Sequence, residues 1–321
     1  MHTAQDTRGA QKGAALLMAM VVVTVIATMA GTMVWQQWRS VQGESAERAR
    51  SQAHWVLMGA LDWGRLILRE DARGSQTDHL GEPWAVPLQE ARLSTFLADG
   101  REDLEDNPAL QAFVSGRITD AQSRFNLRNL VSNGQLAAPA TRSLQRLCEA
   151  AGVSPSVFTR ILDGVQRSWL PRDGERRSRE SGSLLAPERL SDLIWWGLTT
   201  GEIEQLSPWL ILLPAATPLN INTASAEVMA VVIEGIDLSA AQRVVQVRSS
   251  APFKTTDQMV ALLPPTESPN RAAGLAVQSQ FFELEGRLRL GTRVFEEQIL
   301  VERRQLEVVV LHRERRVPWG P

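Results

Sequence analysis

Residues 14–34 read AALLMAMVVVTVIATMAGTMV, with no charge, and Trp35 and Trp38 follow. A run of that length spans a hydrocarbon core of about 30 Å as a helix. Its only polar side chains are Thr24, Thr28 and Thr32, whose hydroxyls can bond back to the helix's own carbonyls. The two tryptophans fall where an interfacial aromatic belt would sit. The stretch predicts one membrane-spanning helix over residues 14–35. Arg8 and Lys12 precede it, and Arg39 is the first basic residue beyond it. The positive-inside rule then puts the N-terminus in the cytoplasm and the bulk of the chain outside.

Beyond Trp35 the helical pattern continues but becomes amphipathic. Ala53, Val56, Leu57, Ala60, Leu61, Gly64 and Leu68 keep the three-and-four spacing of one buried stripe. Glu44, Glu47, Arg48, Arg50 and Arg65 lie opposite. One helix is expected to run from the membrane into a folded domain, to about Arg69.

Composition limits the function. The formal net charge is −2, so no global basic field favours nucleic acid. The single cysteine, Cys148, cannot form an internal disulfide, and the four histidines have no zinc-ligand spacing. No Ser/His/Asp or Cys/His arrangement and no glycine-rich phosphate loop occurs, and the chain reads as a non-enzyme. Asp120 and the acidic pairs near 102–106 read as solvated or turn residues.

After a Gly/Pro-punctuated loop, a short helix is expected over Leu88–Leu97, then strand-like pieces over Phe113–Phe125. Helices are expected over Thr141–Ala151, over Ser154–Val165 with Ser154 as N-cap and Pro155 at the first position, over Pro187–Trp196 and over Gly201–Leu213. Arg172–Ser183 is charged and glycine-bearing, has no apolar residue, and reads as an exposed, mobile loop.

Residues 219–264 begin LNINTASAEV, which places a helix start at Thr223 or Ser225 with Glu227 in its first turn. The turn Gly235-Ile236-Asp237 leads to a second helix, Ser239–Arg248, and a third starts at Thr256. The pattern resembles the helix-hairpin-helix fold of competence-type DNA receptors and repair proteins. That hairpin meets phosphate with backbone N–H groups of a Gly-hydrophobic-Gly turn. Here Asp237 stands at the second glycine, and Arg243, Arg248 and Lys254 are balanced by Glu227, Glu234, Asp237 and Asp257. A scaffold that does not bind nucleic acid is the better reading; a membrane-anchored DNA receptor is the alternative.

Period two takes over at the end. Phe281–Leu290, Val294–Val301 and Leu306–Leu311 are expected as strands. Gly291-Thr292 forms the first turn, and Glu302-Arg303-Arg304 separates the last two strands. The sheet is then split in sequence, with strands before 125 and after 280. The expected class is α+β: a spine helix on an antiparallel sheet, with an inserted all-α, SAM-like or helix-hairpin-helix domain. The expected segments are 1–13, 14–35, 36–125, 126–218, 219–280 and 281–321.

The short leader ending Lys12-Gly13 before the apolar run resembles a type IV prepilin leader. Cleavage by prepilin peptidase is expected between Gly13 and Ala14; Gly9-Ala10 would leave Gln11 and Lys12 at the mature start. The phrase Asp120-x-Gln122-x-Arg124-x-Asn126-Leu127, the inserted helices with LNINTAS and the terminal strands, together with the leader and spine, resemble the type II secretion system protein K family over nearly the whole chain. The resemblance implies a minor pseudopilin of the bacterial inner membrane, single-pass, with its bulk in the periplasm. It would stand at the pseudopilus tip with minor pseudopilins I and J, beside other pseudopilins and the inner-membrane secretion platform. It would act in the export of folded proteins across the outer membrane. Most such proteins have glutamate as fifth mature residue; counted from Ala14 it is Met18 here, which marks a tip position. Relatives can carry calcium in the pilin-like domain, with ligands that the sequence leaves unassigned.

Overall fold

The computed structural model describes residues 11–93, 112–170, 185–263 and 272–316. The expected loop Arg172–Ser183, the acidic pairs near 102–106 and the Gly9-Ala10 bond lie outside them. The chain forms two compact units, Met1–Val56 and Leu57–Pro321.

The first unit is the leading part of helix α1 (Gln11–Gly74). Residues 14–45 are all exposed, as suits a helix whose solvent is lipid. Thr24 donates to the carbonyls of Met20 and Val21 at 2.9 and 2.8 Å, Thr28 to Val25 at 2.9 Å and Thr32 to Met29 at 2.8 Å. Each hydroxyl thus carries its own partner into the apolar phase, where an unpaired one is costly. The Arg39 guanidinium sits 4.7 Å from the Trp35 ring centroid.

The second unit follows in order as β1 (Leu88–Arg92), β2 (Ala112–Asp120), β3 (Phe125–Asn126), β4 (Val131–Ser132), β5 (Gln135–Leu136), α2 (Ala138–Ala150), α3 (Pro155–Ser168) and α4 (Thr200–Leu206). Then come β6 (Leu210–Ile211), β7 (Leu219–Asn220), α5 (Ala226–Val232), α6 (Leu238–Ser250), α7 (Thr256–Val260), β8 (Leu275–Ala276), β9 (Phe281–Leu290), β10 (Arg293–Arg304) and β11 (Glu307–Arg316). Five strands make an antiparallel sheet in the order β1-β2-β9-β10-β11. Everything between β2 and β9 is insertion, so the sheet is split as the alternation required. Leu61 and Leu68 of α1 pack with Trp84, Phe282, Leu284, Ile299, Val301 and Val308. Burying Phe282 in this layer is worth about 3–5 kcal/mol by comparison with its truncation to alanine. Gly64 and Gly286 set the close approach: a Cβ on Gly64 would stand 2.9 Å from Leu284 Cδ2, and one on Gly286 3.1 Å from Leu57 Cδ2.

The insertion holds two cores. Leu127, Leu144, Leu147, Val157, Ile161 and Trp196 belong to one, and Ile221, Val228, Met229, Ala241, Val244 and Phe253 to the other. Ser154 and Ser225 cap α3 and α5 by accepting from Ser156 N and Val228 N. The second of the two expected helix starts, Ser225, is therefore the one used. Three two-stranded ladders accompany the helices: parallel β3–β6 and β7–β8, and the hairpin β4–β5. That hairpin turns on Asn133 and Gly134, both at positive φ (51° and 73°), as a primed two-residue turn demands.

Four local expectations change. Leu88–Arg92 is strand β1 rather than helix, because it pairs with β2 at Leu88↔Gly116 and Ala91↔Val114. Leu190–Trp196 is a 3-10 helix starting three residues later than expected, and Gly197 ends it in the left-handed region. The helix expected over Gly201–Leu213 stops at Leu206. Pro208 lacks the N–H to continue it, and Leu210–Ile211 pairs with β3 instead. Glu302-Arg303-Arg304 is strand rather than separator; the turn is Gln305-Leu306, with Gln305 at φ 55°.

Candidate functional site at the seam between sheet and insertion

The phrase from Asp120 to Leu127 is where the chain leaves the sheet. Its alternating polar residues fall at the end of β2, on a 3-10 turn over Ala121–Ser123 and on β3. Asp120 ends β2 and caps a 3-10 turn, its Oδ1 accepting from Gln122 N at 2.8 Å. Its Oδ2 accepts from Thr223 Oγ1 at 2.5 Å, Ser279 Oγ at 2.6 Å and Asn220 Nδ2 at 2.9 Å. Asp120 is thus a turn residue, but it is 2 % exposed and not solvated. Burial pushes its pKa up to about 6 against the hydrogen bonds from Ser279, Thr223 and the Gln122 amide, and the nearby Asp78 adds to the rise.

The rest of the phrase makes the same kind of stitch. Gln122 donates to Pro218 O at 3.1 Å and accepts from Gln280 N at 2.6 Å. Arg124 pairs with Glu283 and donates to Ser207 O at 3.3 Å. Asn126 donates to Ala215 O at 2.7 Å and accepts from Leu213 N at 3.2 Å. Leu127 is fully buried. From the far side, Asn220 donates to Asp78 O at 3.1 Å, and Asn222 exchanges both amide bonds with Phe253 at 2.9 and 3.0 Å. In LNINTAS, then, Asn220 and Thr223 close the seam, Asn222 ties the module to its own Phe253, and Ser225 starts the helix. The alternation of buried asparagines with isoleucine and leucine is the signal by which the sequence could have shown this.

Beside the seam lies an acidic cluster that the sequence reading missed. Carboxylate oxygens of Asp71, Asp78 and Glu82 all fall within 4.8 Å of one another. Nothing in their spacing announces it, since it forms only when α1's end meets the following loop. Asp71 is pushed up to about 6 by burial and by the neighbouring Glu82 and Asp78, and burial raises Asp78 too. Arg303 sits in the cluster: its Nη1 is 3.1 Å from Asp71 Oδ2 and its Nη2 2.6 Å from both Asp78 oxygens. Glu82 Oε2 accepts from Trp84 Nε1 at 2.7 Å and His79 N at 3.0 Å, while Oε1 is buried without a hydrogen-bond partner.

Three carboxylates suit a hard cation such as calcium, which takes six to eight oxygens at about 2.3–2.6 Å. Here a guanidinium already engages Asp71 Oδ2 and both oxygens of Asp78, and Glu82 Oε2 is taken by Trp84 and His79. The cluster does not fit calcium while Arg303 occupies it.

The hairpin turn is filled from within. Gly235 has φ 76° and Ile236 is buried. Asp237 caps α6, its Oδ1 accepting from Ala240 N at 2.7 Å and from Ser239 Oγ at 2.9 Å. These bonds hold its carboxyl below the usual carboxylate range. An α6 N–H that a phosphate would meet already has an anion. Arg248, one of the three basic residues of the module, is buried and donates to Ile221 O, and burial lowers it to about 10. Gly13 and Ala14 lie near the start of α1, and Met18 lies exposed in its apolar part.

A single apolar helix continuing into a split pilin-like sheet, with a helical insertion stitched to it, defines a membrane-anchored pseudopilin. Residues 219–278 match the family described as "Type II secretion system (T2SS), protein K". A type II secretion system protein K from Pseudomonas aeruginosa is 28 % identical over 306 residues, which is 89 % of this chain and 87 % of the relative. The protein of that name from Pectobacterium carotovorum is 24 % identical, covering 96 % and 97 %. A chain of the crystal structure of the GspK-GspI-GspJ complex from enterotoxigenic Escherichia coli has the same fold, with TM-score 0.63, 19 % identity and coverage of 85 % of this chain and 98 % of that one. Over nearly its whole length the chain is similar to type II secretion system protein K, and these likenesses support a minor pseudopilin function in type II secretion.

Proposed function

We propose that this minor pseudopilin is the tip subunit of the pseudopilus, the first one laid down. Met18 carries the reading. A glutamate at the fifth mature position would lie in the bilayer span, where a charge costs about 2.5–3.5 kcal/mol on insertion scales. A subunit within the shaft can offset that cost by pairing the carboxylate with the N-terminal amine of the subunit above. A tip subunit has nothing above it, and no acid occurs between Ala14 and Glu44.

The same reading includes cleavage by prepilin peptidase between Gly13 and Ala14, and an inner-membrane anchor with its N-terminus cytoplasmic and its bulk periplasmic. It includes assembly with pseudopilins I and J, since the relative of like fold was solved with GspI and GspJ, and contact with other pseudopilins and the inner-membrane platform. The role is structural rather than enzymatic, with residues 126–218 and 219–280 forming the two inserted subdomains. Asp237 in the hairpin turn and the burial of Arg248 speak against the DNA-receptor alternative.

Two measurements test it. N-terminal sequencing of the membrane-extracted protein should start at Ala14; an intact leader or a cut beyond Val34 rejects the processing step. Deleting the gene should abolish secretion of the pathway's exoproteins, and normal secretion and pseudopilus length in the deletion strain reject the tip role.

A further inference from the structure

We propose that Arg303 is the resident cation of the Asp71–Asp78–Glu82 cluster, replacing the divalent cation that this donor set would otherwise take. The fold of the pilin-like domain then does not depend on calcium. Several independent contacts pin the guanidinium. It donates to Asp71 Oδ2 at 3.1 Å, to both Asp78 oxygens at 2.6 Å and to the Ser279 carbonyl at 2.9 Å. It lies 4.8 Å from the centroid of the Phe282 ring, and the Arg303 amide donates to Gln280 O at 2.6 Å. Its side chain is only 10 % exposed. It joins what a metal at this place would join: the end of α1, the following loop and the strand pair β9–β10. A fork of donors can replace a metal in this way because a guanidinium meets several carboxylate oxygens at once.

The charges show why one cation or another must be there. Three carboxylates face one arginine, with His79 Nε2 3.7 Å from Glu82 Oε1. Without Arg303 the three carboxylates and the Ser279 carbonyl would remain as a buried, unneutralised oxygen set, the kind of donors that calcium binds.

The test uses the full-length chain in detergent micelles, with thermal unfolding and calorimetric calcium titration. The wild type should have the same Tm, within about 2 °C, in EDTA and in about 1 mM calcium, and should show no binding heat. Arg303→Met, which keeps the apolar stem over Phe282, should lose about 10 °C in EDTA and recover most of it in calcium. Adding Glu82→Gln to that variant should abolish the recovery. Micromolar calcium binding by the wild type, or a wild-type Tm that falls in EDTA, overturns the proposal whatever the variants do. So does an Arg303→Met protein that calcium leaves unchanged or fails to fold.

Discussion

Asp120 and Asp237 make the same local bond and do different work. Each caps a short turn or helix by accepting from a backbone N–H two or three residues on, at 2.8 and 2.7 Å. Asp237 is exposed, and its bonds hold its pKa down. Asp120 is buried, gathers three further donors from the insertion and from the segment before β9, and has its pKa pushed up. A capping aspartate is therefore only a local device; what packs over it decides whether it ends a turn or holds two parts of a fold together. The hairpin turn, which resembles a binding motif, is self-satisfied. The phrase that reads as solvated is the joint.

The largest effect expected from that difference is on stability. Asp120→Ala leaves two hydroxyls, an amide and a backbone N–H without their acceptor, at a cost of about 3–5 kcal/mol. Thermal unfolding should show a loss of roughly 10 °C. Asp237→Ala should lower Tm far less, because water replaces the carboxylate. Equal losses would break the comparison.

A smaller effect concerns pH. Asp71 and Asp120 have folded pKa values raised from 3.8 to about 6. A raised acid holds its proton more tightly folded than unfolded, so these two groups make stability decline as pH rises from about 4 to about 6, with no further change above. Tm should be a few degrees higher at about pH 5 than at about pH 7. Asp120→Asn should flatten that slope, and a slope unchanged in the variant would assign it elsewhere.

The smallest effect is on DNA. Fluorescence anisotropy with duplex DNA at about 50 mM salt, where electrostatic binding is favoured, should show no micromolar affinity. Asp237→Gly, which restores a glycine to the turn, should gain little because Arg248 stays buried. Micromolar binding with a steep salt slope would revive the receptor alternative.

The periodic parts of the fold were legible in the sequence. The span is decided by its uncharged length, the amphipathic stripe from Ala53 to Leu68 and the alternation in Phe281–Leu290 by one buried face each, and Ser154 and Ser225 cap by local geometry. The misread parts depend on partners far along the chain. Leu88–Arg92 has no alternation of its own and is a strand because of β2. Arg303 sits among charged residues that read as a turn, yet it points inward because the acids at 71 and 78 wait there. The same holds for Asp120, whose partners are Asn220, Thr223 and Ser279: nothing within ten residues of it shows that it is buried.

Immunogold labelling of assembled pseudopili in cells expressing either wild type or Met18→Glu tests the tip assignment most directly. The wild type should be found at one end only, and the variant along the shaft as well, since its carboxylate could then pair with the amine of a subunit above. Wild-type label distributed along the shaft would contradict the assignment.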